Sequence, residues 1–387
     1  MKKKIVILGS TGSIGKNLVK IVKDEINNFE VILLSANKNY KKLLQQALQL
    51  DVKNLIITNK KSYILLKKLV KNKNISVFNN FNEFNLIFKK KIDYSMVAIT
   101  GIDGLKPTLE LIKFTKRIAI ANKEAIICGW HLIKKLLKKY NVKFIPVDSE
   151  HFSIWFSVSN IDNSSIDKIY LTASGGPFLN YTKKKLRNVK LIDTLKHPNW
   201  VMGKKISVDS ATLINKVFEL IEARNIFNLE YKKLSIFIHR QSYIHSIIKL
   251  KNGMIKFIAH DTTMKIPIFN SLFSDKIKYF PSKNISAKFL DNLNFQNVNY
   301  ESFPIDKILK LLPNKISLFE TVLVATNDML VDLYLKKKIS FVNFHKELIK
   351  FLKLKEFQKY KKKNVRNLDD ILNLNKYVRL KINNMYI

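Results

Sequence analysis

The chain has 387 residues, which is more than one ordinary hydrophobic core accommodates and predicts two or three domains. Its formal net charge is +39, and its single cysteine, Cys128, excludes an intrachain disulfide framework and a cysteine-rich zinc site. We find no apolar run of about eighteen residues and no secretory signal, so we expect a cytoplasmic protein that does not span a membrane. Lysines occur throughout the chain beside abundant Asn, Ile and Phe. That distribution favours codon drift in an AT-rich genome over nucleic-acid binding, since no known DNA- or RNA-binding motif occurs.

The first 148 residues alternate short apolar runs with amphipathic stretches. This alternation predicts a mostly parallel sheet with helices on both faces, joined by right-handed crossovers. The predicted strands are Ile5–Leu8, Val31–Leu34, Leu55–Ile57, Tyr94–Ile99, Ile118–Ala121 and Phe144–Val147.

A glycine-rich turn follows the first predicted strand. The residues Gly9-Ser-Thr-Gly12-Ser-Ile-Gly15 come between that strand and a predicted helix, the order that a pyrophosphate site requires. Glycines permit a tight turn, and the amides at a helix N-terminus attract an anion. We therefore predict a Rossmann-like dinucleotide-binding domain over residues 1–148. The spacing differs from the common Gly-x-Gly-x-x-Gly, and a tight turn without a ligand remains the alternative.

The end of the second predicted strand favours NADPH over NADH. A site for NADH usually has Asp or Glu at this point, about twenty residues beyond the glycines, to accept hydrogen bonds from the ribose. Here the segment is Ser35-Ala-Asn37-Lys38-Asn39, which has a lysine and no carboxylate. A lysine suits a 2′-phosphate.

Two carboxylates follow the last strand of this domain. Asp148 and Glu150 stand two residues apart after Phe144–Val147, where ligands usually bind in an open α/β sheet. In an extended loop their side chains would project to the same side. Hard oxygen ligands of this kind select Mg²⁺ or Mn²⁺. The alternative for Asp148 is a helix cap.

Residues 149–273 are predicted to form a central α+β catalytic domain. Its predicted elements are the strands Ile169–Ala173 and Leu234–Ile238, the helix Ala211–Ala223, and a strand-turn-strand over Ile244–Ile258 around Asn252-Gly253. The helical spacing places Asn215 and Glu219 on one face. Ser210 precedes this face and suits either a ligand contact or a helix N-cap.

Two loops of this domain suit an anionic ligand. The residues Thr172-Ala-Ser174-Gly-Gly-Pro-Phe178 form a second glycine turn after a strand, a pattern that favours an anion nest. In His197-Pro-Asn-Trp200-Val-Met-Gly203, Pro and Gly bracket an apolar patch that could close over a ligand. A tryptophan that packs in the core is the alternative.

The remainder of the chain carries no motif that we assign to chemistry. Residues 274–300 lack strong periodicity and are predicted to be a linker. Residues 301–387 are predicted to be a C-terminal helical bundle. Its predicted helices are Ile305–Leu312, Phe319–Lys337, Phe341–Lys355 and Asp369–Ile382.

The glycine turn at Gly9, the segment Pro146–His151 and the stretch His197–Glu222 together resemble the 1-deoxy-D-xylulose-5-phosphate reductoisomerase family of the non-mevalonate isoprenoid pathway. The resemblance implies an NADP-dependent oxidoreductase that also needs Mg²⁺ or Mn²⁺. Its substrate would be a phosphorylated sugar, 1-deoxy-D-xylulose 5-phosphate, which rearranges and is then reduced to 2-C-methyl-D-erythritol 4-phosphate. The resemblance also implies a homodimer.

The resemblance implies a set of roles, carried over residue by residue. Lys123 and Glu150 would be catalytic, and Asp148, Glu150 and Glu219 would bind the metal. The substrate would contact Lys123, Ser149, Glu150, Ser174, His197, Trp200, Ser210, Asn215, Lys216 and Glu219. The cofactor would contact Gly9, Ser10, Thr11, Gly12, Ser13, Ile14, Asn37, Lys38, Asn39, Asn122, Glu124 and Gly203.

Some residues depart from the family pattern. They are Asn37, Phe152, Ala173, Arg240, where a proline often stands, and Thr262-Thr263 beside Met264. Two other functions compete with the reductoisomerase hypothesis. An NADPH dehydrogenase without the rearrangement would not need three carboxylates on one metal. A basic nucleic-acid-binding protein would bind RNA in a salt-sensitive manner.

Overall fold

The computed structural model describes residues 1–159, 161–200 and 202–386. These residues group into two compact units, which do not follow the predicted domain boundaries everywhere. Within the described residues, the first unit comprises 1–125, 132–152 and 264–281, and the second comprises 126–131, 153–159, 161–200, 202–263 and 282–386.

The helices and strands are as follows. The strands are β1 Lys3–Leu8, β2 Phe29–Ala36, β3 Asn54–Ile57, β4 Ser76–Phe78, β5 Tyr94–Val97, β6 Arg117–Ile120, β7 Lys143–Pro146, β8 Ile166–Ala173, β9 Leu234–Ile238, β10 Ile244–Leu250 and β11 Ile255–Ala259. The α-helices are α1 Ser13–Asp24, α2 Tyr40–Gln49, α3 Lys60–Leu69, α4 Phe84–Ile87, α5 Leu105–Ile112, α6 Lys123–Tyr140, α7 Ser149–Val158, α8 Lys183–Leu186, α9 Leu191–Thr194, α10 Lys204–Ala211, α11 Ile214–Phe227, α12 Lys265–Leu272, α13 Ala287–Asp291, α14 Ile305–Leu309, α15 Phe319–Leu335, α16 Phe341–Leu352, α17 Lys355–Gln358 and α18 Leu368–Asn384.

The first unit is built on a parallel sheet of seven strands in the order β4-β3-β2-β1-β5-β6-β7. Strand β1 lies at the centre, and Ile5, Val6, Ile7 and Leu8 are fully buried. The strand order reverses direction between β1 and β5, which is the point where an open α/β sheet forms its ligand crevice. The predicted Rossmann-like fold is confirmed.

The segment Met264–Pro281 belongs to this first unit, although the sequence suggested a catalytic domain to residue 273 and a linker after it. The hydroxyl groups of Ser271 and Tyr94 are hydrogen bonded at 2.7 Å. The rings of Phe273 and Phe29 pack with their centroids 5.4 Å apart. Such tertiary contacts carry no periodic signal in a short segment.

The second unit contains a four-stranded sheet in the order β11-β10-β8-β9. Strands β8 and β9 are parallel, and the other two pairs are antiparallel. The predicted strand-turn-strand is present as β10 and β11. Gly253 allows their turn because its φ is +87°.

The C-terminal helices also belong to the second unit. The predicted helices are present as α14, α15, α16 and α18, and α15 packs against α16 and α18. A buried hydrogen bond of 2.7 Å from Asn327 of α15 to Asp209 of α10 joins them to the rest of the unit. Among the described residues, no helix is both long enough and apolar enough to cross a membrane.

Candidate functional site

The predicted dinucleotide turn lies at the carboxyl end of β1, beside the point where the strand order reverses. A Cβ atom added at Gly15 would lie 2.3 Å from the carbonyl oxygen of Gly9, so only glycine allows α1 to approach the strand this closely. Gly12 is the N-cap of α1 and has no side chain to cap the helix. The first amides of α1 are therefore available to an anion.

Hydrogen bonds that the sequence did not suggest fix the conformation of the glycine turn. The Ser10 hydroxyl is fully buried and donates to Gln46 Oε1 at 2.7 Å, while Gln46 Nε2 donates to the Ser10 carbonyl at 2.9 Å. Gly9 N donates to Ser35 Oγ at 3.0 Å. The side chain of Ser10 thus holds the turn in shape. Thr11, Ser13 and Ile14 are partly or fully exposed at the start of the helix.

The segment after β2 has the features that the sequence predicted for a 2′-phosphate site. Asn37, Lys38 and Asn39 are exposed at the carboxyl end of the strand. Asn37 donates to Thr58 Oγ1 at 2.8 Å, and Asn39 caps α2 by accepting from Lys42 N at 3.1 Å. These two contacts shape the loop, and Lys38 supplies its charge.

Asn122 and Glu124 lie at the start of α6 and are buried. Asn122 Oδ1 accepts from Ala125 N at 2.6 Å, and its Nδ2 donates to the carbonyls of Ile99 and Gly101. Both amide protons of Asn122 are therefore used by the protein, which leaves only an acceptor position of Oδ1 for a ligand. Its predicted cofactor contact stays a prediction.

Asp148 stands between the end of β7 and the start of α7. It accepts from Lys123 Nζ at 2.8 Å, and His151 Nδ1 lies 3.4 Å from its other oxygen. Burial alone would raise the pKa of Asp148, but the Lys123 ammonium and His151 outweigh burial and hold the pKa well below its ordinary value. Asp148 is thus a carboxylate and occupies the position before the helix.

The prediction that Glu150 lies in an extended loop is wrong. It lies in the first turn of α7 and not in an extended loop, because the helix already begins at Ser149. Its Oε2 accepts from Ser149 Oγ at 2.6 Å. A carboxylate oxygen of Glu150 nevertheless lies within 4.8 Å of one of Asp148.

In the second unit, Asn215, Lys216 and Glu219 share one face of α11. The Glu219 carboxylate accepts from both Asn215 Nδ2 and Lys216 Nζ, and Glu219 is 1% exposed. Nearly every residue of α11 is buried, so its charged groups need such partners. The arrangement presents one anion and one cation side by side on a helix.

The predicted helix over Ala211–Ala223 is two helices in the structure. Leu213 adopts a φ of +59° between α10 and α11 and is the N-cap of α11. Ser210 lies in the last turn of α10, so the alternative that it caps the following helix is wrong. Its hydroxyl is available for other roles.

His197 and Ser174 form a hydrogen-bonded pair at 3.0 Å between Nε2 and Oγ. His197 Nδ1 accepts from Asn199 N at 3.1 Å and from Trp200 N at 3.0 Å, so Nδ1 carries no proton. Burial, followed by the charges of Arg240 and Lys216, lowers the pKa of His197 to about 4. The ring is therefore neutral near pH 7, with its proton on Nε2.

This tautomer determines what the Ser174 hydroxyl can do. Oγ accepts from His197 Nε2 and also from Gly176 N, the latter at 3.2 Å. Because both acceptor positions are occupied, the hydroxyl proton is directed elsewhere and can donate to a ligand. The anion nest predicted around Ser174 thus has a defined donor.

The segment predicted to be a flap is described except for Val201, which lies outside the described residues. Trp200 is only partly buried, and its ring centroid lies 6.5 Å from that of His245. Asn199 Nδ2 donates to the Arg240 carbonyl at 2.7 Å and to Ser242 Oγ at 2.9 Å. Gly203 is exposed and is the N-cap of α10.

The residues that differ from the family pattern are accommodated by their burial, backbone conformation or hydrogen bonds. Phe152 is buried, and Ala173 ends β8 without a positive φ. Thr262 Oγ1 donates to the Ser242 carbonyl at 3.2 Å. The role of Arg240 was not suggested by the sequence: its Nη1 donates to the Gly176 carbonyl in the anion nest.

Comparison with known protein families gives a consistent result across the chain. The model for 1-deoxy-D-xylulose 5-phosphate reductoisomerase matches residues 5–129. Two further models, described as C-terminal domains of that enzyme, match residues 144–227 and 261–381.

Individual relatives and solved structures agree with the family models. The reductoisomerase of Pelagibacter ubique is 56% identical over all 387 residues, covering 100% of both chains, and that of Wolbachia pipientis wMel is 38% identical, covering 96% and 95%. The Zymomonas mobilis enzyme in complex with NADPH has a TM-score of 0.87 at 28% identity, covering 100% of this chain and 98% of its own. A complex of the enzyme with NADPH, fosmidomycin and magnesium has a TM-score of 0.91 at 28% identity, covering 99% and 98%. The chain belongs to the 1-deoxy-D-xylulose 5-phosphate reductoisomerase family.

Proposed function

We propose that this chain catalyses the NADPH-dependent rearrangement and reduction of 1-deoxy-D-xylulose 5-phosphate to 2-C-methyl-D-erythritol 4-phosphate, a step of isoprenoid precursor biosynthesis. The observation that carries the proposal is the pair of carboxylates, Asp148 and Glu150, at the carboxyl end of the same parallel sheet that holds the glycine turn. A dehydrogenase needs the turn alone. A metal-assisted rearrangement needs both.

NADPH binding is assigned to the turn after β1 and the loop after β2. The free amides at the start of α1 suit the pyrophosphate, and exposed Lys38 suits the 2′-phosphate. No Asp or Glu stands in the loop from Asn37 to Asn39 to repel that phosphate. The solved relatives in complex with NADPH support the same cofactor.

Asp148, Glu150 and Glu219 are assigned as the ligands of Mg²⁺ or Mn²⁺. The donor set suits such ions, because it consists of carboxylate oxygens and one of the three, Asp148, is held ionised by Lys123 and His151. A solved relative contains magnesium. When bound, the ion would polarise the substrate carbonyl as a Lewis acid and orient the adjacent hydroxyl.

The substrate phosphate is assigned to groups of the second unit. The Ser174 hydroxyl has a proton to donate, and Lys216 provides a buried positive charge. Neutral His197 orients Ser174 instead of adding charge. Ser210 and Asn215 are assigned as further donors, and the Trp200 segment as the cover that excludes water.

Proton movements are assigned to Lys123 and Glu150. Lys123 is mostly buried and bonded to Asp148, so its ammonium is held in one place. Glu150 accepts from Ser149, which limits its rotamers. Ser149 and Ser242 are assigned to the substrate hydroxyls.

The test is the identity of the product. Purified protein is incubated with NADPH, Mg²⁺ and ¹³C-labelled 1-deoxy-D-xylulose 5-phosphate, and the carbon skeleton is determined by NMR. A branched skeleton, 2-C-methyl-D-erythritol 4-phosphate, is the expected result. An unbranched reduced sugar phosphate would instead indicate a dehydrogenase without rearrangement.

A homodimer and a cytoplasmic location are also part of the proposal. Strand β11 is at one edge of its sheet and exposes 64% of neighbouring Met254, 49% of Ile255 and 53% of Phe257. An apolar edge strand of this kind favours pairing with a second copy. Sedimentation of wild type and Phe257→Lys tests this, and a dimer unaffected by the substitution would place the interface elsewhere. The chain has one cysteine, the buried Cys128, and therefore no intrachain disulfide, which suits a reducing compartment.

A further inference from the structure

The Arg240 guanidinium contacts main-chain carbonyl groups of the anion nest. Its Nη1 donates to the Gly176 carbonyl and, at 3.4 Å, to the Ser174 carbonyl. Gly175 and Gly176 have φ values of +79° and +66°, so the backbone at this turn has few steric restraints of its own. Rotation of the peptide plane that carries either carbonyl would break its bond to the guanidinium.

The main chain of Arg240 contacts the segment that carries His197. Its carbonyl accepts from Asn199 Nδ2 at 2.7 Å, and Asn199 N donates to His197 Nδ1 at 3.1 Å. His197 in turn bonds Ser174. Arg240 thus contacts both segments that position the Ser174 hydroxyl. Its side chain bonds the glycine turn, and its main-chain carbonyl bonds the segment that carries His197.

The positive charge of Arg240 also helps to keep His197 neutral. After burial, it is the larger of the two cationic contributions that lower the pKa of His197. A neutral His197 keeps Nδ1 as an acceptor and Nε2–H as a donor, which is the arrangement that leaves the Ser174 proton for the ligand.

We propose that Arg240 is a positioning residue for the phosphate monoester of the substrate, because its guanidinium fixes the peptide planes of the Ser174–Gly176 turn and its carbonyl anchors the His197–Trp200 segment. The inference rests on the proposed function, in which this turn binds the substrate phosphate. Arg240 acts through Ser174, and no direct contact with the phosphate is required.

The test compares Arg240→Met, Arg240→Gln and Arg240→Lys with wild type. Arg187→Met is the matched control, since it removes an equal charge from an exposed arginine of the same unit that the site does not use. We expect Arg240→Met to raise KM for 1-deoxy-D-xylulose 5-phosphate about tenfold, with kcat changed less than about twofold, the effect of losing one charge-assisted bond. KM for NADPH stays unchanged. Lys at this position restores most of the affinity, and Gln restores little.

A second readout does not depend on turnover. Inorganic phosphate is titrated and its affinity is measured by ³¹P NMR, with a fall of about tenfold expected for Arg240→Met and none for Arg187→Met. If wild type consumes no NADPH, the proposed function fails, and the phosphate titration still decides the role of Arg240. If Arg240→Met does not fold, Arg240→Lys and Arg240→Gln decide it.

The inference is overturned by any of three results. One is a fall in kcat with KM unchanged. Another is an equal effect of Arg187→Met, which would show that only bulk charge matters. The third is unchanged phosphate affinity in folded Arg240→Met or Arg240→Gln.

Discussion

Replacing Gly176 by alanine should weaken phosphate binding much more than the same change at Gly175. Both glycines have a positive φ, so each alanine costs about 1–2 kcal/mol in backbone strain. At Gly176 the new Cβ would lie 2.9 Å from the Ser210 carbonyl oxygen and 3.1 Å from Ala211 Cα, both of them main-chain atoms. At Gly175 it would meet only the side chain of Leu179, with Cδ1 at 2.5 Å and Cδ2 and Cγ at 3.0 Å, and this partly exposed side chain can change its rotamer.

The difference between the two variants can be converted into a change in KM. An ordinary contact begins near 3.4 Å, so alanine at 176 must displace the Ser210 main chain by about 0.5 Å. Ser210 would then lose much of a hydrogen bond to a charged phosphate, which contributes about 1.5–3 kcal/mol. Since 1.4 kcal/mol corresponds to a factor of ten, KM for the substrate should rise about tenfold or more in Gly176→Ala.

The assay is steady-state NADPH oxidation at varied substrate, with thermal unfolding of both variants as the measure of strain. Gly175→Ala should be destabilised by a similar amount to Gly176→Ala but keep a KM within about threefold of wild type. Equal KM values for the two variants would refute the argument, because the strain they share would then account for the whole effect.

Three further predictions concern other parts of the molecule. Lys38→Ala should raise KM for NADPH about tenfold and leave KM for NADH nearly unchanged, which initial rates with both cofactors would show. Burial raises the pKa of Glu320 to about 7, so its carboxyl is ionised only above that pH. At pH 8.5, Glu320→Ala should lower the free energy of unfolding by about 3 kcal/mol in urea titrations, because it removes the buried partner that lies 3.3 Å from Arg224. Burial lowers the pKa of His345 from 6.5 to about 4. As the pH falls below 6.5, His345 therefore takes up a proton in the unfolded state but not yet in the folded state. The free energy of unfolding should fall by about 3 kcal/mol as the pH falls toward 4. In His345→Gln the new side chain does not titrate but can still donate to the Thr212 carbonyl. The decrease in the free energy of unfolding between pH 7 and pH 4 should therefore be about 3 kcal/mol smaller in this variant than in wild type.

Hydrophobic periodicity was sufficient to predict most of the fold. The strands around Ile5–Leu8 and Leu234–Ile238 are apolar runs of ordinary length, and both are present. Strand β4, Ser76–Phe78, was not predicted because it has three residues at the sheet edge and none of them is fully buried. The break before α11 was also missed. A leucine rarely adopts a positive φ, so no residue type at Leu213 signals it.

Contacts between distant residues explain what the sequence could not supply for the site. Ser10 was predicted to be a cofactor contact, and its hydroxyl bonds Gln46, which is 36 residues away. Arg240 stood out only as a departure from the family pattern, although it bonds a carbonyl 64 residues earlier. Glu150 was placed in a loop because its sequence has no signal that the helix begins one residue before it. Motifs identify which groups are present, and tertiary contacts decide which of their atoms remain available.

The most direct test of the central claim is metal-dependent oxidation of NADPH by 1-deoxy-D-xylulose 5-phosphate, measured by absorbance for wild type and Glu219→Gln. The substitution keeps the size of the side chain but removes the carboxylate that we assign to the metal. We expect wild type to oxidise NADPH only when Mg²⁺ or Mn²⁺ is present, and the variant to lose most of this activity while it still binds NADPH. A wild-type protein that is folded and binds NADPH, but does not oxidise it with this substrate under either metal, would contradict the account.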